Sequence, residues 1–191
     1  HPHWHNAPVN AVGPFSAQLL IVGLAPGLKG ANATGRPFTG DSAGGYLYQM
    51  LNRFGLATGT YSGHAGDGVI LHGVRITNAV RCVPPQNKPI ASETRSCQFF
   101  LMREILAMTN LRTILALGKL AHDSVLRCFN CRLATYPFAH QSNHLIASKY
   151  RLISSYHCSR YNTQTGRLTD AMFTAVFTDI TRAMSTQKKY D

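Results

Sequence analysis

The sequence predicts an α/β fold: a single three-layer α/β/α domain around a central, mainly parallel four-stranded sheet. Three observations carry this expectation. Short apolar, β-branched runs alternate with longer stretches of helical periodicity, the pattern of strand–helix–strand units. No repeat, composition shift or linker divides the 191 residues, a length that suits one well-buried domain. Three loops of unusual chemistry follow strands, and ligands of such sheets bind beyond the carboxyl ends of the strands.

The elements follow in order. Residues 18–24 form an apolar run that reads as the first strand. Residues 46–54 carry Leu47, Met50, Leu51 and Phe54 at helical spacing. Residues 74–80 are a β-branched run and the second strand. Residues 92–108 read as a helix: Ser92 can cap it, Glu93 suits its first turn, and Cys97, Phe100, Leu101, Ile105 and Met108 line one face. Residues 113–117 form the third strand, closed by Gly118. Residues 120–128 form a helix and 151–155 the fourth strand. Residues 169–184 form the last helix, with Met172, Phe173, Val176, Phe177, Ile180 and Met184 inward. Residues 185–191 read as a flexible tail and 1–17 as an N-terminal extension. The opening HPHWHNAPVN has neither an initiator Met nor a signal-peptide pattern, so the sequence reads as starting inside a longer chain.

Composition narrows the partners. Lys and Arg number 19 against 8 Asp and Glu, giving a net charge of +11, although charged residues are only 14% of the chain. A basic surface aids solubility, but this imbalance points further, to a polyanion such as nucleic acid. The charge is dispersed, which suits a folded binding face better than a basic arm. No apolar run approaches the roughly 18 residues of a membrane span. Five cysteines, an odd number without a secreted framework, favour a reducing compartment.

The first loop, GLAPGLKGANATGRPFTGD (residues 23–41), is neither a Walker A loop nor a dinucleotide fingerprint. Its glycines let backbone N–H groups approach an anion. It serves as a plain connector or as a site wall, and loops of this length are more often functional. The middle loop, RCVPPQNKP (81–89), holds Asn87, which either forms an Asx turn before Pro89 or offers an amide to a nucleobase edge. The third, SYHCSRYNTQTGRLT (155–169), places His157 just after a strand, as a catalytic or a structural imidazole. Ser159, Arg160, Asn162 and Thr163 follow as donors suited to phosphate.

Taken together, GLAPG with GRPFTGD, then RCVPPQNKP, then HCSRYNTQTGRLT, resemble the uracil-DNA glycosylase superfamily, and within it the family 5 (type b) enzymes. The resemblance runs from about Leu19 to Ile180. It implies a monofunctional DNA repair glycosylase that flips and hydrolytically excises uracil and other deaminated bases such as hypoxanthine, leaving an abasic site. It implies a base pocket walled by Gly23, Leu24 and Ala25, with Phe38 stacking on the base and Asn87 contacting it. Leu24 and Ala25 fill the place where other families use a polar residue to activate water, so the resemblance assigns the carboxylate role to Asp41. His157 matches the histidine of an H-P-S motif in which Cys158 replaces the proline. Ser159, Arg160, Asn162 and Thr163 fall on the DNA-contacting loop. The implied partner is DNA containing uracil or deaminated bases, bound by a monomer in the bacterial cytoplasm, at the nucleoid.

The resemblance also implies a [4Fe–4S] cluster. Cys82 and Cys97 match two of its four cysteine ligands; the other two belong to an N-terminal C-x-x-C that this sequence lacks. The C-x-x-C at Cys128 and Cys131 stands elsewhere and reads as two ordinary cysteines at a helix end. Two other classes compete with the glycosylase. One is a damaged-DNA binder, either non-catalytic or covalently trapping; the superfamily's trapping branch carries a basic insertion with a reactive histidine, and no such stretch is seen in this sequence. A small-molecule nucleosidase is disfavoured by the charge.

Overall fold

The computed structural model describes residues 1–186. In chain order it contains β1 (Leu19–Gly23), α1 (Ala31–Thr34), α2 (Ser42–Arg53), β2 (Ala57–Thr58), β3 (Ile70–Leu71), β4 (Val74–Asn78), α3 (Ala91–Ala107), β5 (Thr113–Leu117), α4 (Lys119–Cys128), β6 (Asn143–Ile146), β7 (Tyr150–Ser155), α5 (Arg160–Gln164) and α6 (Asp170–Thr186). The main sheet has the order β4–β1–β5–β7–β6, parallel except for β6. β2 and β3 form a separate antiparallel pair.

Alternation along each strand splits the core in two. Leu19, Ile21, Ile76, Leu115 and Ile153 pack with the buried faces of α2 and α6. Leu20, Val22, Ile114, Ala116 and Leu152 pack on the opposite face with α3 and α4. This makes the three layers. The first 17 residues join the domain: Val12 bridges Ile76, and the N–H of Val9 donates to the Arg81 carbonyl at 2.8 Å.

Several expectations need correction. The central sheet has five strands, not four. The fifth, β6, reads NHLI, a short segment at the sheet edge with little β-branched character, so its pattern carries no strand signal. Ser92 does not cap α3. The cap is Ile90, in extended conformation after Pro89, and its N–H donates to Glu93 Oε2 at 2.9 Å. A glutamate two residues inside the helix is long enough to reach back to that free donor. Phe100 is 49% exposed rather than in the core; the Arg81 guanidinium sits 5.6 Å from its ring centre. Ser185 and Thr186 extend α6 rather than opening a tail, and residues 187–191 lie outside the described residues. No helix among the described residues is long and apolar enough to cross a membrane.

Candidate active site

Parallel strands bring their carboxyl ends to one edge, and three of them deliver the site. Gly23 ends β1 and pairs in register with Asn78, which ends β4. β7 ends at Ser155, two residues before His157. A cleft of about 490 Å³ opens there, lined by the 24–30 segment with Asp41, Asn87 and His157. A recess of about 30 Å³ continues it inward, bounded by Ala25, Phe38, Asp41, Asn78 and His157. The two hollows share Ala25, Gly27, Asp41 and His157.

Gly23 lies behind the recess wall. A β-carbon there would stand 2.3 Å from Asn78 Oδ1 and 2.6 Å from Phe38 Cζ. The missing side chain is therefore what lets a ring and an amide converge. Phe38 is buried and holds a left-handed backbone, φ 55°, a conformation that costs about 1–3 kcal/mol and persists only where its surroundings impose it. They do. Tyr61 Oη donates to the Phe38 carbonyl at 3.2 Å, Tyr48 Oη to the Pro37 carbonyl at 3.4 Å, and Thr39 Oγ1 to the Arg36 carbonyl at 2.6 Å.

Arg36 anchors this loop. It makes a bidentate pair with Asp67 at 2.7 and 2.6 Å, with side chains only 8% and 0% exposed. Its guanidinium also lies 5.0 Å from the Tyr48 ring centre. The hydrogen bond from Arg36 holds the Asp67 carboxyl well below the usual carboxylate range, with further donation from the Ser62 and Val69 amides. A depressed pKa contributes stability that is present above the unfolded value, about 3.9, and is lost as pH falls through the folded one. Asp67→Asn is expected to cost about 3 kcal/mol, since it strands a buried guanidinium, and to flatten the acid limb of a Tm-versus-pH curve. An unchanged Tm at pH 7 would remove the pair from the loop's support.

Asp41 caps α2. Its Oδ1 accepts from the Gly44 amide at 3.0 Å, while Oδ2 faces Gly30, where a β-carbon would come within 3.2 Å. One oxygen is thus held by the helix and the other turns to the loop that walls the cleft. His157 stacks on Phe38 at 6.0 Å between centroids. Burial pushes the His157 pKa below the ordinary histidine value, against the opposing pull of the Asp41 carboxylate. The imidazole is therefore neutral at pH 7, with one N–H to donate.

Cys158 is fully buried, its thiol directed at the Ala43 carbonyl at 3.6 Å, and burial pushes its pKa to about 12. A neutral thiol thus pins the chain after His157 to the start of α2. Asn162 Nδ2 donates to the His157 carbonyl at 2.8 Å, Ser159 Oγ accepts from the Asn162 amide at 3.5 Å, and Thr163 Oγ1 donates to the Arg160 carbonyl at 3.0 Å. Three of the four expected phosphate donors are thus engaged in holding their own loop. Arg160 is exposed, with no side-chain partner among the described residues.

The structure separates two amides. Asn87 sits at the outer cleft, exposed, with Oδ1 accepting from the Leu28 amide at 3.3 Å, so it ties the middle loop to the first. Asn78 is 5% exposed in the inner recess, with no side-chain hydrogen bond among the described residues. Sequence reasoning passed over Asn78 because it closes a β-branched run. The available signal was an amide at the carboxyl end of a parallel strand, where ligands are bound.

The cysteines do not complete a cluster site. Cys82 is exposed and Cys97 half-buried, and among the described residues no three His, Cys, Asp or Glu side chains are grouped to hold a metal ion. The residues present therefore do not fit a four-thiolate group on their own. Cys128 is buried with its thiol pushed up to about 12, an inert packing residue.

A small recess with one buried amide, one imidazole and a carboxylate at its rim thus opens into a cleft at the carboxyl ends of the strands of a basic α/β protein. The family model for the uracil DNA glycosylase superfamily matches residues 11–181, and the chain belongs to that superfamily. Within it, the similarity is to the type-5 branch. The chain is 42% identical over 181 residues to a type-5 uracil-DNA glycosylase of Thermus thermophilus, covering 95% of this chain and 82% of that protein. It is 42% identical over 180 residues to a type-5 enzyme of Mycobacterium leprae, covering 93% and 78%. A type-4 uracil-DNA glycosylase of Archaeoglobus fulgidus is 31% identical over 128 residues, covering 66% and 56%.

Proposed function

We propose that this protein hydrolyses the N-glycosidic bond of uracil in DNA, with Asp41, His157 and Asn78 as the working groups. The observation that carries this reading is their convergence with Phe38 on a single recess. A flipped base occupies the adjoining cleft and turns its polar edge to the recess, where Phe38 and the Asn78 amide stand. The unstacking costs a few kcal/mol, least at a mismatched base. As the C1′–N bond breaks, its electron pair goes to the base and positive charge grows on the sugar. The Asp41 carboxylate stabilises that charge and orients a water, which adds to C1′ and passes its proton to that carboxylate, from which it leaves to solvent or to the departing base anion. Neutral His157 donates its N–H to the anionic base oxygen. Asn87 holds the cleft mouth, and Arg160 takes a backbone phosphate.

The wall formed by Leu24 and Ala25 is apolar and makes no base-specific hydrogen bond through its side chains, so the substrate range extends to hypoxanthine and other deaminated bases. Incubation of uracil-containing and hypoxanthine-containing duplexes, followed by alkaline cleavage of abasic sites, tests both statements. Strand cleavage at uracil is expected. Its absence would remove the glycosylase reading, and cleavage at uracil alone would restrict it.

In this proposal Cys82 and Cys97 would supply two thiolates of a [4Fe–4S] cluster with a structural role. Iron bound to the protein purified without oxygen, lost in Cys97→Ser with a fall in Tm, is the expected result. An iron-free protein with undiminished stability would leave both cysteines as packing residues.

A further inference from the structure

The largest hollow described in the molecule is not the active-site cleft. It is a groove of about 700 Å³ between α3 and α4, lined by Thr94, Arg95, Lys119, Asp123, Arg127 and Asn130 among others. The groove shares no lining residue with the cleft but approaches it at one end. There its rim includes Pro89, two residues beyond Asn87, which lines the cleft. The same end includes Lys119, next to Gly118, where a β-carbon would lie 3.7 Å from His157 Cβ.

The charge of the groove is uncompensated. Its one carboxylate, Asp123, is already paired with Lys119 at 2.6 Å. Arg95 and Arg127 are exposed, and neither guanidinium has a partner among the described residues. Each offers five N–H donors in a fork suited to phosphate oxygens. Nothing in the reaction at the recess uses them.

We infer that the α3–α4 groove is a track for the backbone of a single DNA strand leaving the active-site cleft. The inference rests on the glycosylase reading and extends it to substrate form. Two features select one strand over a duplex. Helices packed side by side lie about 8–10 Å apart and leave a furrow too narrow for two strands. The axis from Lys119 to Arg127 runs for about 12 Å, a reach of only a few nucleotides of one strand. The groove descends the side of the domain from the strand ends, so a strand in it departs from any duplex lying across the cleft.

The test uses a short uracil-containing duplex without a tail and two series with single-stranded tails of increasing length on the 5′ or the 3′ side. Wild-type protein is expected to bind one tailed series about fivefold more tightly, with a log Kd–log salt slope steeper by about 1.5. Arg95→Ala/Arg127→Ala is expected to lose both gains while excising uracil from the untailed duplex at the wild-type rate, with unchanged Tm. Arg160→Ala serves as a comparator and is expected to lower the slope by about 0.9 on every substrate alike. Tail-independent binding by wild type in both series would overturn the inference, as would a tail gain retained in the double variant. Failure of wild type to release uracil from any substrate would instead strike the glycosylase reading, while tail-dependent binding would still report on the groove.

Discussion

Asp41→Asn is expected to lower uracil excision by about two to three orders of magnitude, with DNA affinity within about threefold of wild type. The substitution is chosen for what it preserves. Asparagine keeps a side-chain oxygen to accept the Gly44 amide, so the cap of α2 stays intact. It removes only the negative charge that faces the developing oxocarbenium ion. Asp41→Ala removes the cap as well and is expected to lose a further ~1 kcal/mol of stability. Single-turnover excision and Tm, measured for both variants, separate the two roles. Near-wild-type turnover by the asparagine variant would take Asp41 out of the chemistry, since Leu24 and Ala25 leave no other carboxylate in the first loop.

Asn78→Ala is expected to reduce kcat/KM by about 10²–10³ through loss of a preorganised donor and acceptor in a desolvated recess. The amide is 5% exposed and free of side-chain partners among the described residues, so its truncation leaves no partner group stranded and the fold should tolerate it. Asn87→Ala, by contrast, breaks a loop-to-loop bond to Leu28 and is expected to act mainly on KM. If Asn87→Ala abolishes turnover and Asn78→Ala does not, the outer amide is the base reader and the assignment reverses.

What the sequence disclosed and what it hid follow from the range of the forces involved. β1 and β5 are apolar runs buried along their whole length, and such runs announce themselves, while β4 and β7 show through a few apolar or β-branched residues among polar ones. β6 is strand-like only because Tyr150–Ser155 offers it a partner, so no local pattern marks it. The three loops were legible as a group because their motifs occur in the family order. Asn78 was not, because a buried amide looks like any polar residue at a strand end until Gly23 and Phe38 are seen beside it. The Arg36–Asp67 pair spans 31 residues of sequence, and no spacing rule links them. The anchoring role of Arg36 therefore appears only in the folded chain.

The register of β1 on β4 has a consequence for how the enzyme can change. Gly23 and Asn78 are partners at the last rung of that ladder, so the recess floor is held by the main sheet. Its amides are expected to exchange with solvent more slowly than those of the loops that carry Asp41 and Arg160, which open locally at lower cost. Substrate preference can then drift by substitution in the rim without loosening the floor. A side chain at Gly23, by contrast, would collide with Asn78 and Phe38 and disturb the sheet end itself.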